Sequence, residues 1–440
     1  MSQTQKRTRK QNTGIRALTT KAEFLGFTRA EWSWSLYDWA NSSFATTVMA
    51  GFFQIFFKKY WSSGIDPQLT TARLGVVLSV SGFAIAALSP VFGAFTDLSG
   101  RKKQALFVTM LLASACVVGL GLLQEGDWLP AMYLYGLAMF LFTASINFYD
   151  SLLPFVAGGE RTNRVSLLGY SMGYLGGGVL FLINVLMYLK PQWFGLADGV
   201  QAVKYSFFSV AIWWIVFSLP LMKNVEEVGA PFVAGALPEQ IVASFRGAAT
   251  AARDIWQIPT LRFFLLAYWL YIDGVYTVIT MAVDYGMSIG LESSDLISAL
   301  LVTQFVGFPA TLAYTFLTKE RGPKFGLYIC IGIYMLTVIL ATQMKTGVHF
   351  LLLAGTIGLV QGGVQSLSRS LFVQMIPKEK SGEFFGFFNL VGKFASVIGP
   401  MVVGATVYLT QTPQYGMLGL LFLFGTGVIL LTRVPNPDVH

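Results

Sequence analysis

The sequence predicts an all-α membrane protein: twelve transmembrane helices in two six-helix bundles. Three observations carry this. Only 12% of the 440 residues are charged, about half the share of a soluble domain. Twelve apolar stretches follow one another along the chain. One polar segment, from Lys223 to about Pro259, divides them six from six.

The apolar stretches run approximately 34–57, 72–95, 104–123, 129–149, 165–188, 204–222, 261–284, 296–317, 325–343, 348–371, 384–408 and 415–432. A spanning helix needs roughly 20 apolar residues. Lipid offers backbone groups no hydrogen-bond partner, so each stretch must be helical. The domains expected are a tail at 1–32, a bundle at 33–222, a linker at 223–259, a second bundle at 260–433 and a tail at 434–440. In the first tail, Ile15, Leu18, Ala22 and Leu25 recur at helical spacing, which fits either a basic surface helix or a solvated tail. Segment 239–256 is weakly amphipathic, as a surface helix in the linker would be.

Charge placement sets the orientation. Of 30 Lys and Arg, 22 fall in the tails and alternate loops on one side and 6 on the other. Cytoplasmic loops hold the excess of basic residues. Both termini and the linker are therefore expected in the cytoplasm, and the membrane expected is a plasma (bacterial inner) membrane. The net charge of +8 is accounted for by these loops, so no nucleic-acid partner is expected. Cys116 and Cys330 lie in apolar stretches, which argues against a disulfide framework. The N-terminus lacks the pattern of a cleaved signal peptide.

The two halves repeat. The fourth span ends Asn147-Phe-Tyr-Asp150-Ser-Leu-Leu153, and the tenth ends Ser366-Leu-Ser-Arg369-Ser-Leu-Phe372. Leu36-Tyr-Asp38 in the first span is echoed by Leu270-Tyr-Ile-Asp273 in the seventh. Internal repeats of this kind mark transporter folds.

After the second span the chain reads Gly93-Ala-Phe-Thr-Asp97-Leu-Ser-Gly100-Arg101-Lys102. This resembles the signature loop of the major facilitator superfamily. A carboxylate at Asp97 suits a neighbouring helix N-terminus. Asp97 is expected to dock on the inner end of span eleven, and Arg101 to meet Asp150. The corresponding loop of the second half, Thr318-Lys-Glu-Arg-Gly322-Pro-Lys324, carries Lys319 where the acid should stand, so no equivalent latch is expected there. Two further stretches, Trp34-Ser-Leu-Tyr-Asp38-Trp-Ala-Asn41 and Gln361-Gly-Gly-Val-Gln365-Ser-Leu-Ser-Arg369, resemble the vacuole-effluxer-like branch of that superfamily. The resemblance implies a facilitator fold and amino-acid export.

Ionisable residues inside spans cost roughly 2.5–3.5 kcal/mol at mid-bilayer, so they face a cavity or a partner. Asp273 and Lys393 are expected near the midplane, either as a mutual ion pair or as substrate ligands. Asp38 and Asp273 are the candidate proton carriers. Asp150 and Arg369 stand with opposite signs at equivalent inner ends, as gating or bracing charges. Asn41, Asn147, Tyr276, Gln361 and Gln365 complete the candidate substrate-binding set. Gln361 and Gln365 share one helix face. The stripe Gly169-x-x-x-Gly173-x-x-x-Gly177 suits close helix approach and is expected to form a surface on which the halves rock.

Nothing points to an enzyme. The two His, His349 and His440, form no zinc spacing. Gly386-x5-Gly392-Lys393-Phe394 has the wrong spacing for a phosphate-binding loop and lies within a span. No cofactor is expected. The sequence reads as a monomeric secondary transporter for a small polar organic solute, proton-coupled, with amino acids first. A sugar or peptidoglycan-fragment facilitator is one alternative, with Trp39, Tyr271 and Tyr276 as stacking platforms. A non-transporting receptor or scaffold is the other.

The topology is checked by cysteine labelling of intact cells. A Cys at Ser63 should react with an impermeant reagent and one at Glu239 should not. The reverse pattern would overturn the orientation.

Overall fold

The computed structural model describes residues 25–159, 161–227, 237–288, 293–344, 346–395, 398–411 and 413–435. The tail helix expected from Ile15 lies outside these residues as far as position 24, and Leu25–Gly26 form a turn.

The first span begins one residue after Thr28. The Glu31 amide donates to Thr28 Oγ1 at 3.3 Å and the Thr28 amide to Glu31 Oε2 at 2.7 Å, a reciprocal cap that satisfies two orphan donors. The span runs as α1 (Arg29–Ser43), a π-helical stretch (Phe44–Phe52), α2 (Phe53–Phe56) and a second π-helical stretch (Phe57–Trp61). The rest of the first bundle is α3 (Pro67–Ser99), α4 (Lys102–Leu122), α5 (Trp128–Val156), α6 (Arg161–Leu189) and α7 (Gly199–Asn224). A linker helix, α8 (Leu237–Gln257), follows. The second bundle holds α9 (Pro259–Ser288), α10 (Ser293–Leu317), α11 (Gly322–Ala341), α12 (Gly347–Val373), α13 (Ser381–Phe394), α14 (Ile398–Thr410) and α15 (Leu420–Thr432).

Eleven stretches of described helix are long and apolar enough to cross a membrane. The first span, divided between α and π segments, is the twelfth. In the eleventh span α13 ends at Phe394, Ala395 leaves the helical conformation (ψ 64°), and α14 begins at Ile398.

Lipid tails are as apolar as Leu, so packing and polar contacts, rather than burial from water, must hold these helices together. Small residues do much of this. The Gly169, Gly173 and Gly177 stripe faces the first span, inside the same bundle, and does not form the sliding surface expected between halves. A Cβ at Gly173 would lie 2.7 Å from Ser42 Oγ, and one at Gly177 would lie 2.5 Å from Thr46 Oγ1 and 3.0 Å from the Ser42 carbonyl. The reason is that the stripe lets α6 pass close to the polar face of the first span, which carries Asp38 and Ser42 on α1 and Thr46 on the π-helical stretch. Between the halves, α6 packs on α10 and α12, and α3 packs on α13. There Gly93 meets the Gly382 backbone and Gly386 meets Pro90.

The linker helix α8 forms over almost the span expected. It docks on α3 and α13, and Ser244, Ala248 and Ala251 on it are buried. Lys380 Nζ and Asp254 Oδ2 pair at 3.3 Å beside it. The helix thus lies across the face that carries the α3–α4 loop, called here the signature-loop face.

Gly177→Val should drive a side chain into the α1 backbone and lower thermal stability by about 1–3 kcal/mol. Gly75→Ala, where nothing lies within 4 Å of the added carbon, should leave the melting temperature in detergent unchanged. Equal melting temperatures for the two variants would contradict the packing described.

Candidate functional site

Three spans bring charge together beneath the signature-loop face, and a fourth supplies neutral partners. Arg369, on α12 and 2% exposed, reaches out of its own bundle into the other. Its Nη1 donates to Asp150 Oδ1 at 3.0 Å, and its Nη2 to Asp38 Oδ2 at 3.3 Å. Its Nε donates to Ser166 Oγ at 3.0 Å, and Nη2 also reaches the Ser166 carbonyl at 3.1 Å. A rigid guanidinium fork suits several acceptors at once in a way that an ammonium does not.

Aromatic faces enclose the cation. Arg369 Cζ lies 4.3 Å from the Tyr170 ring centroid, 4.8 Å from that of Trp34 and 5.6 Å from that of Tyr149. Trp34 stacks on Tyr149 at 4.3 Å and donates from Nε1 to the Tyr149 carbonyl at 3.1 Å. Tyr149 in turn donates its hydroxyl to Asp38 Oδ2 at 2.8 Å. The cluster therefore holds one cation against two carboxylates, with the acids on one bundle and the cation on the other.

Other bonds join the bundles on the same side. Asn163 Nδ2 donates to Thr318 Oγ1 at 2.7 Å, Ser166 Oγ to the Ser366 carbonyl at 2.8 Å, and Ser381 Oγ to the Ser151 carbonyl at 2.8 Å. Asp97 meets the first turn of α13: Oδ1 accepts from the Gly382 amide at 3.0 Å and Oδ2 from the Glu383 amide at 2.8 Å. These are orphan donors at a helix N-terminus, where the dipole also favours a carboxylate. Lys102 pairs with Asp97 from behind. The other half of the expected latch is corrected. Asp150 is engaged by Arg369 and not by Arg101, which stays exposed on the loop.

The expected pair of Asp273 and Lys393 is corrected as well. Asp273 is fully buried and turns both oxygens to the start of α14. Oδ2 accepts from the Ile398 amide at 3.0 Å and Oδ1 from the Gly399 amide at 2.9 Å, with Thr277 Oγ1 at 3.3 Å. Lys393 lies in the last turn of α13, half-buried. The two charges thus meet the interrupted eleventh span from opposite sides of the break, an acid at a helix start and a base at a helix end. Each complements a half-helix dipole. Interrupted helices of this kind are where transporters build midplane sites.

The neutral candidates divide. Asn147 is structural: Nδ2 donates to the Ser89 carbonyl at 3.0 Å, and Oδ1 accepts from Asn389 Nδ2 at 3.4 Å across the bundles. Gln365 lies beside the Tyr276 hydroxyl. Gln361 lies one turn away on the same face of α12, half-buried like Gln365 and Tyr276. Asn41 is 4% exposed, and its Nδ2 has no hydrogen-bond partner among the described residues. An unpaired buried donor is costly, and a ligand oxygen would satisfy it. Two of the three proposed stacking platforms are occupied: Trp39 stacks on Trp213 at 5.5 Å, and buried Tyr271 bonds Ser368 at 2.7 Å.

Sequence reasoning missed Trp34, Ser166 and Tyr170 as partners of Arg369. The spacing was there to read. Trp34 stands one turn before Asp38, and Ser166 one turn before Tyr170, so each pair shares a helix face.

The chain matches the family model described as "Vacuole effluxer Atg22 like" over residues 28–438. It is 37% identical to an uncharacterized MFS-type transporter, YxiO, of Bacillus subtilis (strain 168), over 93% of this chain and 96% of that one. It is 22% identical to autophagy-related protein 22 of Eremothecium gossypii, over 90% of this chain and 88% of that one. Among solved structures it superposes on FucP, a major facilitator transporter in the outward conformation, with a TM-score of 0.67, 11% identity and coverage of 93% and 98%. The human organic anion transporter MFSD10 gives a TM-score of 0.65, 13% identity and coverage of 92% and 99%. The chain belongs to the vacuole effluxer Atg22-like family of the major facilitator superfamily: it is a multi-pass membrane transporter, not an enzyme.

Proposed function

We propose that this transporter moves a small polar organic solute, an amino acid, by alternating access, and that protons drive it through the Arg369 cluster. The observation that carries the reading is the bridge from Arg369 to Asp38 and Asp150. It closes the signature-loop face, and the bundles cannot part there while it holds.

The chemistry follows from the charge count. Two carboxylates share one guanidinium, and like charges held close together resist joint ionisation. A proton on Asp38 or Asp150 removes one arm of the bridge and weakens the tie between halves. Loss of the proton on the opposite side restores it. The cycle thereby links protonation to which face is open, as differential binding to two states requires.

Substrate binds above the closed face. Asn41 Nδ2, Tyr276, Gln361 and Gln365 offer hydrogen bonds, and Lys393 offers an ammonium to a carboxylate. This set suits a zwitterion better than a sugar, since Trp39 and Tyr271 are committed elsewhere. Asp273, with three donors already on its carboxylate, acts in this reading as the brace of the broken span rather than as the carrier. The signature-loop face is the cytoplasmic one, by the distribution of basic residues.

The test uses purified protein in sealed proteoliposomes with labelled amino acids and sugars. Asp38→Asn and Asp150→Asn should abolish pH-gradient-driven amino-acid transport and retain counterflow exchange. Asp273→Asn should cost about 1–3 kcal/mol in stability and keep its response to the gradient. Wild-type gradient response in stable Asp38→Asn and Asp150→Asn variants would remove the cluster from coupling. No flux of any solute in the wild type would favour the scaffold reading.

A further inference from the structure

A cavity of about 780 Å³ opens on the signature-loop face, apart from the Arg369 cluster. Both bundles line it. The first contributes Thr162, Asn163 and Arg164, at the start of α6, and the second contributes Thr318, Lys319 and Lys378. Three of these are cations, and among the described residues no acid lines the cavity. The start of α11, at Gly322 and Pro323, faces it too. Two helix starts and three cations make the region electropositive.

The repeat gives a reason why the described lining carries no acid. In the first half, the loop after span two places Asp97 on the first amides of span eleven. The corresponding loop of the second half meets the start of span five, where Asn163 bonds Thr318. Lys319 occupies the place of the acid there. The carboxylate that latches one side is thus replaced by a base and an open cavity on the other. A second observation also points to a ligand. Asn163 is 7% exposed and lines the cavity, and its Oδ1 has no hydrogen-bond donor among the described residues. A ligand with an anionic group and a hydroxyl would meet both needs.

We propose that this cavity binds a phosphate monoester group, held by Arg164, Lys319 and Lys378, which serves as the latch missing from the second half. Phosphate suits the site because it carries about −1.5 to −2 of charge for the three cations, and the hydroxyl of its protonated form donates to Asn163 Oδ1. The cavity, within the usual range for ligand sites, is larger than a bare carboxylate needs. Because both bundles contribute, the anion binds the closed face and stabilises it against opening. The same chemistry is carried by a soluble phosphorylated compound and by the headgroup of phosphatidic acid.

The test is thermal unfolding of the full chain in nanodiscs. In phosphatidylcholine discs, inorganic phosphate is titrated; in a second set, phosphatidic acid is incorporated. A saturable rise in melting temperature with phosphate in the first set assigns the site to a soluble anion. A rise with phosphatidic acid alone assigns it to a headgroup. In either case Lys319→Ala/Lys378→Ala should weaken the response about tenfold or more, while Lys223→Ala/Arg253→Ala, elsewhere on the surface, should not. If the alanine pair is poorly folded, Lys319→Gln/Lys378→Gln gives the same reading. No shift with either ligand, or a shift unchanged by the Lys319 and Lys378 substitutions, would overturn the proposal.

Discussion

On the signature-loop face one buried guanidinium joins the two bundles by charge. Arg369 sits on the second bundle, yet both of its carboxylate partners, Asp38 and Asp150, belong to the first. A charge at this depth is costly to leave alone, and breaking a buried pair from one side typically costs about 3–5 kcal/mol. The bundles are therefore held together by an interaction that neither can replace from its own residues. The aromatic enclosure of Trp34, Tyr149 and Tyr170 screens the cluster from water and keeps the local dielectric low. In that setting a change of one charge has a large effect.

The neighbouring features support this closure in different ways. Asp97 satisfies the first amides of α13 from the opposite bundle, so the second and eleventh spans are tied as well as the first, fourth and tenth. Gly93 and Gly382 allow that approach, since a side chain at either would strike the other's backbone. The linker helix α8 then lies over the junction. Gly169 has an equivalent part within the first bundle: a Cβ there would lie 2.5 Å from Asp38 Oδ2 and 3.2 Å from Arg369 Nη2. The glycine stripe thus leaves room for the ion cluster, and packing and charge are not separate designs.

Much of the fold was legible in the sequence, because hydropathy and the absence of water fix helices at the scale of a span. The depth of charged residues along each helix was legible too, and so was the docking geometry of Asp97, which the signature loop carries. Rotation about each helix axis was not. Asp273 and Lys393 share a half and a similar depth, so a mutual pair looked natural. The end of α13 at Phe394 and the start of α14 at Ile398 offer each a helix end instead, and no hydropathy pattern marks them. Arg101 and Asp150 lie near one another in sequence order, but Arg369 reaches Asp150 from 219 residues away. The Gly169 stripe shows the same limit: small residues declare a close contact without naming the partner. The aromatic partners Trp34 and Tyr170 were readable from one-turn spacing once Asp38 and Ser166 were known to matter.

The most direct measurement of the central claim is the distance across the signature-loop face. Spin labels at Glu226, two residues past the end of α7, and at Glu379, just before α13, both exposed, report whether the halves have parted. The wild type at neutral pH should give a short, narrow distribution. Asp38→Asn/Asp150→Asn should shift it to longer distances under the same conditions, because Arg369 then has no charged partner to hold it. A distribution unchanged by the double substitution would show that the face is closed by something other than this guanidinium.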